Sequence, residues 1–147
     1  MKNYTMEKIH IEGDPNLKNT GGKQYSMVVG RFQPWHSGHR WLIDQRLEQG
    51  KNVLICIRDV KPDDKNPFTA QEVEINIKKH LWRFLDDEKI KIIIIPDIES
   101  VNFGRGVGYD IIEHIPPDNI KEISATKIRE EIKQERNYNG KSYRENN

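Results

Sequence analysis

Apolar residues along this chain are concentrated in three short runs, which are separated by longer and more polar segments. The runs occupy residues 25–30, 52–58 and 89–96. Each run is mostly apolar instead of alternating, so we expect strands that are buried on both faces. Two further short runs, at 100–104 and 119–123, are interpreted as a fourth and a fifth strand.

Helical spacing characterises the segments between these runs. Residues 38–49 and 66–87 are predicted as helices, and residues 124–133 as a closing helix. The second helix begins with Thr69 and Glu72, a pair that can form a capping box. Strands that alternate with helices form parallel sheets covered by helices. The sequence therefore predicts an α/β fold, a Rossmann-like parallel sheet of about five strands with helices on both faces.

The two ends of the chain lie outside this pattern. Residues 1–24 are interpreted as a polar N-terminal extension, in which 8–13 is a candidate short strand. Residues 135–147 form a polar tail without apolar periodicity, which we expect to fray. One folded domain over residues 25–134 is the resulting prediction, and 147 residues suit a single domain.

Composition narrows the classes of function. The 24 basic and 23 acidic residues give a net charge of +1, whereas a nucleic-acid-binding domain usually carries a basic surplus, so no nucleic-acid partner is expected. The single cysteine, Cys56, lies in an apolar run and fits a reducing compartment. No apolar segment approaches the length of a membrane span, and the first residues lack the apolar stretch of a signal peptide. A cytoplasmic location without membrane contact is expected.

A glycine, an arginine and two histidines follow the first predicted strand, in the string GRFQPWHSGH. Ligands of parallel sheets bind where strands end and helices begin. Gly30 permits close approach of the backbone, and Arg31 offers donors that suit phosphate oxygens. His36 and His39 can donate hydrogen bonds and can carry charge near neutral pH. Amides at the helix start, near Gly38, complete a predicted phosphate-binding site.

Two other interpretations of the histidine pair are open from the residues alone. A pair of histidines at this spacing is most often found on the surface at a helix start. Zinc binding is the second alternative, but His10, His80 and His114 are isolated in the sequence and there is one cysteine. The whole string is much longer than a histidine pair, which favours the phosphate site.

The same string resembles a signature of the HxGH nucleotidylyltransferase superfamily. It is most like that of the archaeal-type nicotinamide mononucleotide adenylyltransferases and their phage-encoded cytidylyltransferase-like relatives. ISATKIR, at 123–129, matches the second superfamily signature, of the form ISxTxxR. NPFTAQE (66–72) and IIIIPDI (92–98) are similar to the second helix and the third strand of those enzymes. The resemblance covers about residues 25–134.

This resemblance implies a reaction. The phosphate of an acceptor attacks the α-phosphorus of a nucleoside triphosphate and pyrophosphate leaves, with the help of Mg²⁺ bound to the triphosphate. ATP is the expected donor and nicotinamide mononucleotide the expected acceptor. The enzyme alternative is a cytidylyltransferase that acts on a phosphorylated alcohol or sugar. A nucleotide sensor without turnover, and a role linked to nucleic acid as in aminoacyl-tRNA synthetases, are the alternatives from other classes.

The resemblance also implies roles for individual residues. His36, His39 and Arg129 would stabilise the charge on the reacting phosphates. The nucleotide-binding candidates lie in the two signatures: Gly30, Arg31, Phe32, Gln33, Gly38, Ser124, Ala125 and Thr126. No residue is assigned as a protein ligand of a metal. Similar proteins form homo-oligomers, although the sequence itself indicates no assembly.

The segment at 97–122 departs from the family pattern, because it is shorter than in the usual members. Arg105 within it is a candidate phosphate or base contact, and a solvated arginine in a glycine-rich connection is the alternative. Arg58 and Asp59, at the end of the second run, are candidate acceptor contacts. For them, a surface ion pair is the alternative.

Overall fold

The computed structural model of the chain describes residues 22–106 and 108–145, with side chains up to residue 135. Its elements in chain order are β1 (Tyr25–Gly30), α1 (Ser37–Leu47), β2 (Asn52–Asp59), α2 (Ala70–Asp86), β3 (Ile90–Pro96), α3 (Asp118–Lys121) and α4 (Ala125–Glu145). The candidate strand at 8–13 lies outside the described residues.

The three apolar runs form one parallel sheet in the order β1-β2-β3. In its register Val29 lies beside Cys56, and Cys56 lies beside Ile93. The middle strand β2 is the most deeply buried, with Val53 and Ile55 fully covered. The predicted α/β class with a parallel sheet is confirmed.

The helices cover this sheet with the residues that the spacing predicts. Helix α2 packs against β2 and β3 and buries Val73, Ile77 and Leu81. The capping box at its start is present, because Thr69 and Glu72 each accept a hydrogen bond from the other's backbone N–H. Helix α1 packs against β2, ends at Leu47 and is followed by Gly50 at a φ of +74°.

The described sheet has three strands instead of about five. Residues 100–104 form an irregular connection whose apolar side chains Val101 and Phe103 are exposed, so no neighbouring strand buries this run. Residues 119–123 overlap helix α3. Pro117 lies at the N-cap of that helix, where its missing N–H costs nothing, and Asp118 suits the first turn.

Helix α4 is longer than predicted, because it continues past residue 133 to Glu145. No proline interrupts this stretch, and most of its charged and polar residues are tolerated in helices. The proposed boundary between the domain and the tail at 134/135 stays a prediction. Among the helices in the described ranges, none has the length and apolar character needed to cross a membrane.

Candidate active site

The chain turns sharply where β1 ends, and this turn requires a glycine. A Cβ atom at Gly30 would lie 2.9 Å from two ring carbons of Phe32, which is closer than such atoms approach. Phe32 itself has a φ of +51°, and its ring is buried with 4% exposure. The ring therefore folds back over the glycine, while Arg31 between them faces solvent.

Gln33 connects this turn to the loop before α2. Its side chain is buried, and its Nε2 donates to the backbone oxygen of Phe68 at 2.9 Å. Its Oε1 accepts from the backbone nitrogen of Phe68 at 3.0 Å. Since both ends of the side-chain amide are engaged, Gln33 positions the loop, and its backbone oxygen is the part that faces the second signature.

The two histidines form a reciprocal cap at the start of α1. His36 is the N-cap residue, and its Nδ1 accepts from the backbone nitrogen of Gly38 at 3.0 Å. The Nδ1 of His39 accepts from the backbone nitrogen of His36 at 3.2 Å. Imidazole nitrogens thus replace the side-chain oxygens of the usual capping box. That motif needs two residues between its partners, and His36 and His39 have this spacing.

Stacking and close packing fix the orientation of both rings. The ring centroids of His36 and His39 are 3.8 Å apart. The His39 ring also meets the edge of Phe32 at 4.9 Å and lies 5.3 Å from the ring of Trp35. A Cβ atom at Gly38 would lie 2.8 Å from the His36 ring, so a side chain at this position would displace the imidazole.

These contacts also determine where each ring carries its proton. A backbone N–H can only donate, so each Nδ1 must be unprotonated, and the neutral rings of His36 and His39 carry hydrogen on Nε2. Burial, followed by the neighbouring His36, lowers the pKa of His39 to about 3. Burial also lowers the pKa of His36. The lowered pKa values favour the uncharged form of both imidazoles at neutral pH, in which Nε2–H is a donor.

Arg129 brings the second signature to the first. Its Nη1 donates to the backbone oxygen of Gln33 at 2.7 Å, and its Nη2 donates to Thr126 Oγ1 at 3.3 Å. Ser124 caps the start of α4, because its Oγ accepts from the backbone nitrogen of Lys127 at 3.2 Å. The segment therefore has two roles: Ser124 caps the helix, and Arg129 contacts the first signature.

A cavity of about 190 Å³ lies where the two signatures meet. Its lining comprises Arg31, Phe32, Gln33, His39, Asn66, Ala125 and Arg129. Arg31, Arg129 and His39 in this lining are hydrogen-bond donors, so the cavity is suited to phosphate oxygens. A second cavity of about 310 Å³ shares Phe32 and is lined mainly by apolar groups such as Phe68 and Val73.

Several candidates do not line this cavity: His36, Gly30, Gly38, Ser124 and Thr126 lie in the two signatures next to it, and Arg58, Asp59 and Arg105 lie outside them. Arg58 binds Asp97 at 2.7 Å and the backbone oxygen of Ile98 at 3.1 Å, so it ties β2 to the chain after β3. For Arg58, this is the ion pair that the sequence analysis gave as the alternative to an acceptor contact. Asp59 is exposed at the end of β2, and Arg105 is exposed in the connection after β3.

Asn66 lines the cavity although the sequence did not single it out. Asp63 organises its loop, since Asp63 Oδ1 accepts from the backbone nitrogens of Asn66 and Lys65 at 2.7 and 2.9 Å. The hydrogen bond from the Asn66 backbone is the main cause that lowers the pKa of Asp63. The signal in the sequence was an aspartate three residues before an asparagine–proline pair, which is typical of side-chain-capped turns.

Comparison with known proteins supplies an independent finding. Residues 27–83 match the family model described as cytidylyltransferase-like. The nicotinamide-nucleotide adenylyltransferase of Methanocorpusculum labreanum is 39% identical over 72 residues, which is 48% of this chain and 40% of that protein. The enzyme of the same description from Methanococcus vannielii is 30% identical over 115 residues, or 77% of this chain and 63% of that protein.

A bacterial protein gives a similar match. The nicotinamide/nicotinic acid mononucleotide adenylyltransferase of Acinetobacter baylyi is 32% identical over 80 residues, which is 53% of this chain and 41% of that protein. The chain thus spans between 40% and 63% of the length of these three relatives. The region of this chain that matches the family model includes the turn after β1.

Proposed function

We propose that this chain, which resembles the HxGH nucleotidylyltransferases and whose residues 27–83 match the cytidylyltransferase-like family model, transfers AMP from ATP to a phosphate-bearing acceptor such as nicotinamide mononucleotide, with release of pyrophosphate. The names of its relatives support this choice of donor and acceptor. The observation that carries the proposal is the hydrogen bond from Arg129 to the Gln33 backbone. Through it, residues of both signatures line one cavity of phosphate-binding character.

In this reaction, an oxygen of the acceptor phosphate attacks the α-phosphorus of ATP. The bond between the α-phosphorus and the bridging oxygen breaks, and pyrophosphate takes the electron pair. Two anions must approach each other, so the protein must hold them in line and offset their repulsion. Arg31 and Arg129 supply positive charge on the cavity wall for this purpose.

The histidines contribute as neutral donors. The Nδ1 of each ring accepts a hydrogen bond from a backbone amide. This bond fixes the orientation of the ring and therefore the direction of its Nε2–H. Donors that are already oriented do not have to reorganise during the reaction. They therefore stabilise the charge that develops on phosphate oxygens more effectively. His36 and His39 thereby stabilise the reacting phosphates without a change in their own charge.

The lining of the cavity is compatible with a magnesium ion that arrives with the triphosphate. Arginine and imidazole N–H groups bind phosphate oxygens, whereas Mg²⁺ prefers oxygen ligands such as those of the triphosphate itself. In the described part of the chain, no three His, Cys, Asp or Glu side chains come together as a ligand set. The ion would supply charge neutralisation between the phosphates when it is bound.

A second candidate, transfer of CMP from CTP to a phosphorylated alcohol or sugar, is favoured by the description of the family model. Both reactions use the same phosphate contacts and differ in the base and the acceptor. We further propose a cytoplasmic location, which the single buried cysteine supports.

The test is product formation by the purified protein with Mg²⁺, for ATP with nicotinamide mononucleotide and, in parallel, for CTP with glycerol phosphate. The matched variant is His39→Asn, because an asparagine oxygen can still accept from the His36 amide but lacks the Nε2–H donor. We expect dinucleotide and pyrophosphate from ATP, a folded variant, and a loss in kcat of about 100-fold or more. Product from CTP alone would favour the second candidate, and nucleotide binding without any product would contradict both.

A further inference from the structure

Asn66 has a buried side-chain oxygen without a partner. The residue is 6% exposed, and its Oδ1 has no hydrogen-bond partner among the described residues. Its Nδ2 donates to Asp63 Oδ1 at 3.0 Å. This contact fixes which end of the amide is oxygen, since the reversed amide would set its oxygen against the carboxylate. The unpartnered atom is therefore an acceptor.

A buried acceptor without a partner is costly, and native proteins keep few of them. Here the surrounding backbone is held in place by contacts that do not involve this oxygen. Asp63 binds the backbone nitrogen of Asn66 at 2.7 Å, and Gln33 binds both backbone groups of Phe68. These clamps hold Asn66 at the cavity, so the missing partner is expected to come from what the cavity binds.

The chemistry of the cavity restricts that partner. The neighbours that line the cavity with Asn66 include Arg31, His39 and Arg129, which are all donors. Phosphate oxygens satisfy those donors, but an ionised phosphate cannot donate to an amide oxygen. Of the groups on a nucleotide that carry hydrogen, the ribose hydroxyls lie nearest to the 5′-phosphate.

We propose that Asn66 Oδ1 accepts a hydrogen bond from a ribose hydroxyl of the nucleotide whose phosphates this cavity holds, an inference that rests on the proposed function. The contact would make Asn66 a residue that selects ribonucleotides over deoxyribonucleotides. The hydroxyl comes from the triphosphate or from an acceptor nucleotide, and the two sources give different results in the test below.

Binding requires a small movement, because the oxygen is covered. Arg31 is suited to move, since its side chain is exposed and makes no hydrogen bond or ion pair within the described ranges. Its shift onto a phosphate would rearrange the wall that it shares with Asn66. The clamps on the backbone of Asn66 stay in place during such a shift.

The experiment is equilibrium binding by calorimetry, which does not depend on turnover. ATP is compared with its 2′-deoxy and 3′-deoxy forms, and nicotinamide mononucleotide with its deoxy forms. For the wild type we expect the analogue that lacks the contacted hydroxyl to bind about five- to tenfold more weakly than its parent. A loss confined to the ATP series identifies the donor ribose, and a loss confined to the mononucleotide series identifies the acceptor ribose.

Two variants separate this contact from a structural role. Asn66→Ala should bind parent and deoxy analogue equally, with the affinity that the wild type has for the analogue. Lys65→Ala is the matched control, because it changes an exposed side chain of the same loop and leaves Asp63 and the Asn66 oxygen in place, so the ratio of the two affinities should persist. Asn66→Ser provides a second test if Asn66→Ala fails to fold.

The outcomes distinguish this proposal from the proposed reaction. Equal affinity of the wild type for all parent and deoxy pairs, or an unchanged ratio in Asn66→Ala or Asn66→Ser, would overturn the role of Asn66 even if product forms. Discrimination that disappears in these variants, in a protein that forms no product, would support the role of Asn66 and contradict the reaction.

Discussion

Of the connections that leave the carboxyl ends of the strands in this sheet, those after β1 and after β3 are built in opposite ways. The turn after β1 buries Phe32 and Trp35, and two cap bonds hold it: the Gly38 backbone donates to His36 Nδ1, and the His36 backbone donates to His39 Nδ1. The described parts of the segment 97–117 after β3 have no helix or strand. A turn whose donors and acceptors are paired internally can hold its free N–H groups toward a ligand, whereas an exposed connection cannot preorganise a site.

The apolar residues of the second connection sharpen this contrast. Val101, Phe103, Ile111 and Ile115 are each more than half exposed. Apolar character alone therefore does not place a residue in the core; it needs a neighbouring surface to cover it.

The largest effect is expected from Gln33→Ala. The substitution leaves the backbone N–H and oxygen of Phe68 without partners, and we expect a loss of roughly 2–4 kcal/mol in the free energy of unfolding. Urea denaturation measures this value. Gln45→Ala is the control, because Gln45 makes one local bond within α1 and should cost less than about 0.5 kcal/mol. Equal losses would mean that Gln33 does not clamp the turn.

A glycine in each connection gives the second prediction. Gly38→Ala places a Cβ 2.8 Å from the His36 ring, so the ring must move and kcat should fall by about tenfold or more, equivalent to about 1.4 kcal/mol. At Gly104 no atom lies within 4 Å of an added Cβ, and Gly104→Ala should leave the rate unchanged. Steady-state kinetics compare the two variants, and a wild-type rate in Gly38→Ala would show that the position of the His36 ring is not critical.

The dependence of stability on pH gives the third prediction. The pKa of His39 is lowered to about 3 and that of His36 is also lowered, whereas unfolded histidines titrate near 6.5. As the pH falls below 6.5, the unfolded chain gains protons that the folded chain does not accept, so stability is lost progressively toward pH 3. Urea denaturation at several pH values should show a shallower loss in His39→Asn than in the wild type. Parallel curves would contradict the burial of an uncharged His39.

The smallest effect is expected from Ile111→Ser in the second connection. Ile111 is 72% exposed, so its replacement should change the free energy of unfolding by less than about 0.5 kcal/mol. Ile77→Val, in the core, serves as the reference and should cost about 0.5–1.5 kcal/mol. Thermal unfolding compares the two. A larger loss for Ile111→Ser would show that the segment packs against another surface in solution.

The features that the sequence predicted well depend on neighbours along the chain. The runs that form β1, β2 and β3, and the pair Thr69 and Glu72, carry their pattern within a few residues. The fourth and fifth strands were predicted by the same local rule and are not present in the described sheet. A short apolar run near 119–123 becomes helical after Pro117, and one near 100–104 has no surface to cover it.

The remaining features of the site depend on contacts between distant residues. The bonds of Gln33 to Phe68 and of Arg129 to Gln33 join residues that are 35 and 96 positions apart. Local periodicity has no means of indicating them. The neutral state of His39 and the unpartnered oxygen of Asn66 likewise arise from burial, which only the folded chain determines.

The central claim is that this cavity holds a triphosphate for attack at its α-phosphorus. The most direct measurement follows ATP that is labelled separately on its α- and γ-phosphates, in the presence of Mg²⁺ and nicotinamide mononucleotide. The account predicts that the α label appears in a dinucleotide and the γ label in pyrophosphate. Release of the γ label as free phosphate, with the α label left in ADP, would contradict it.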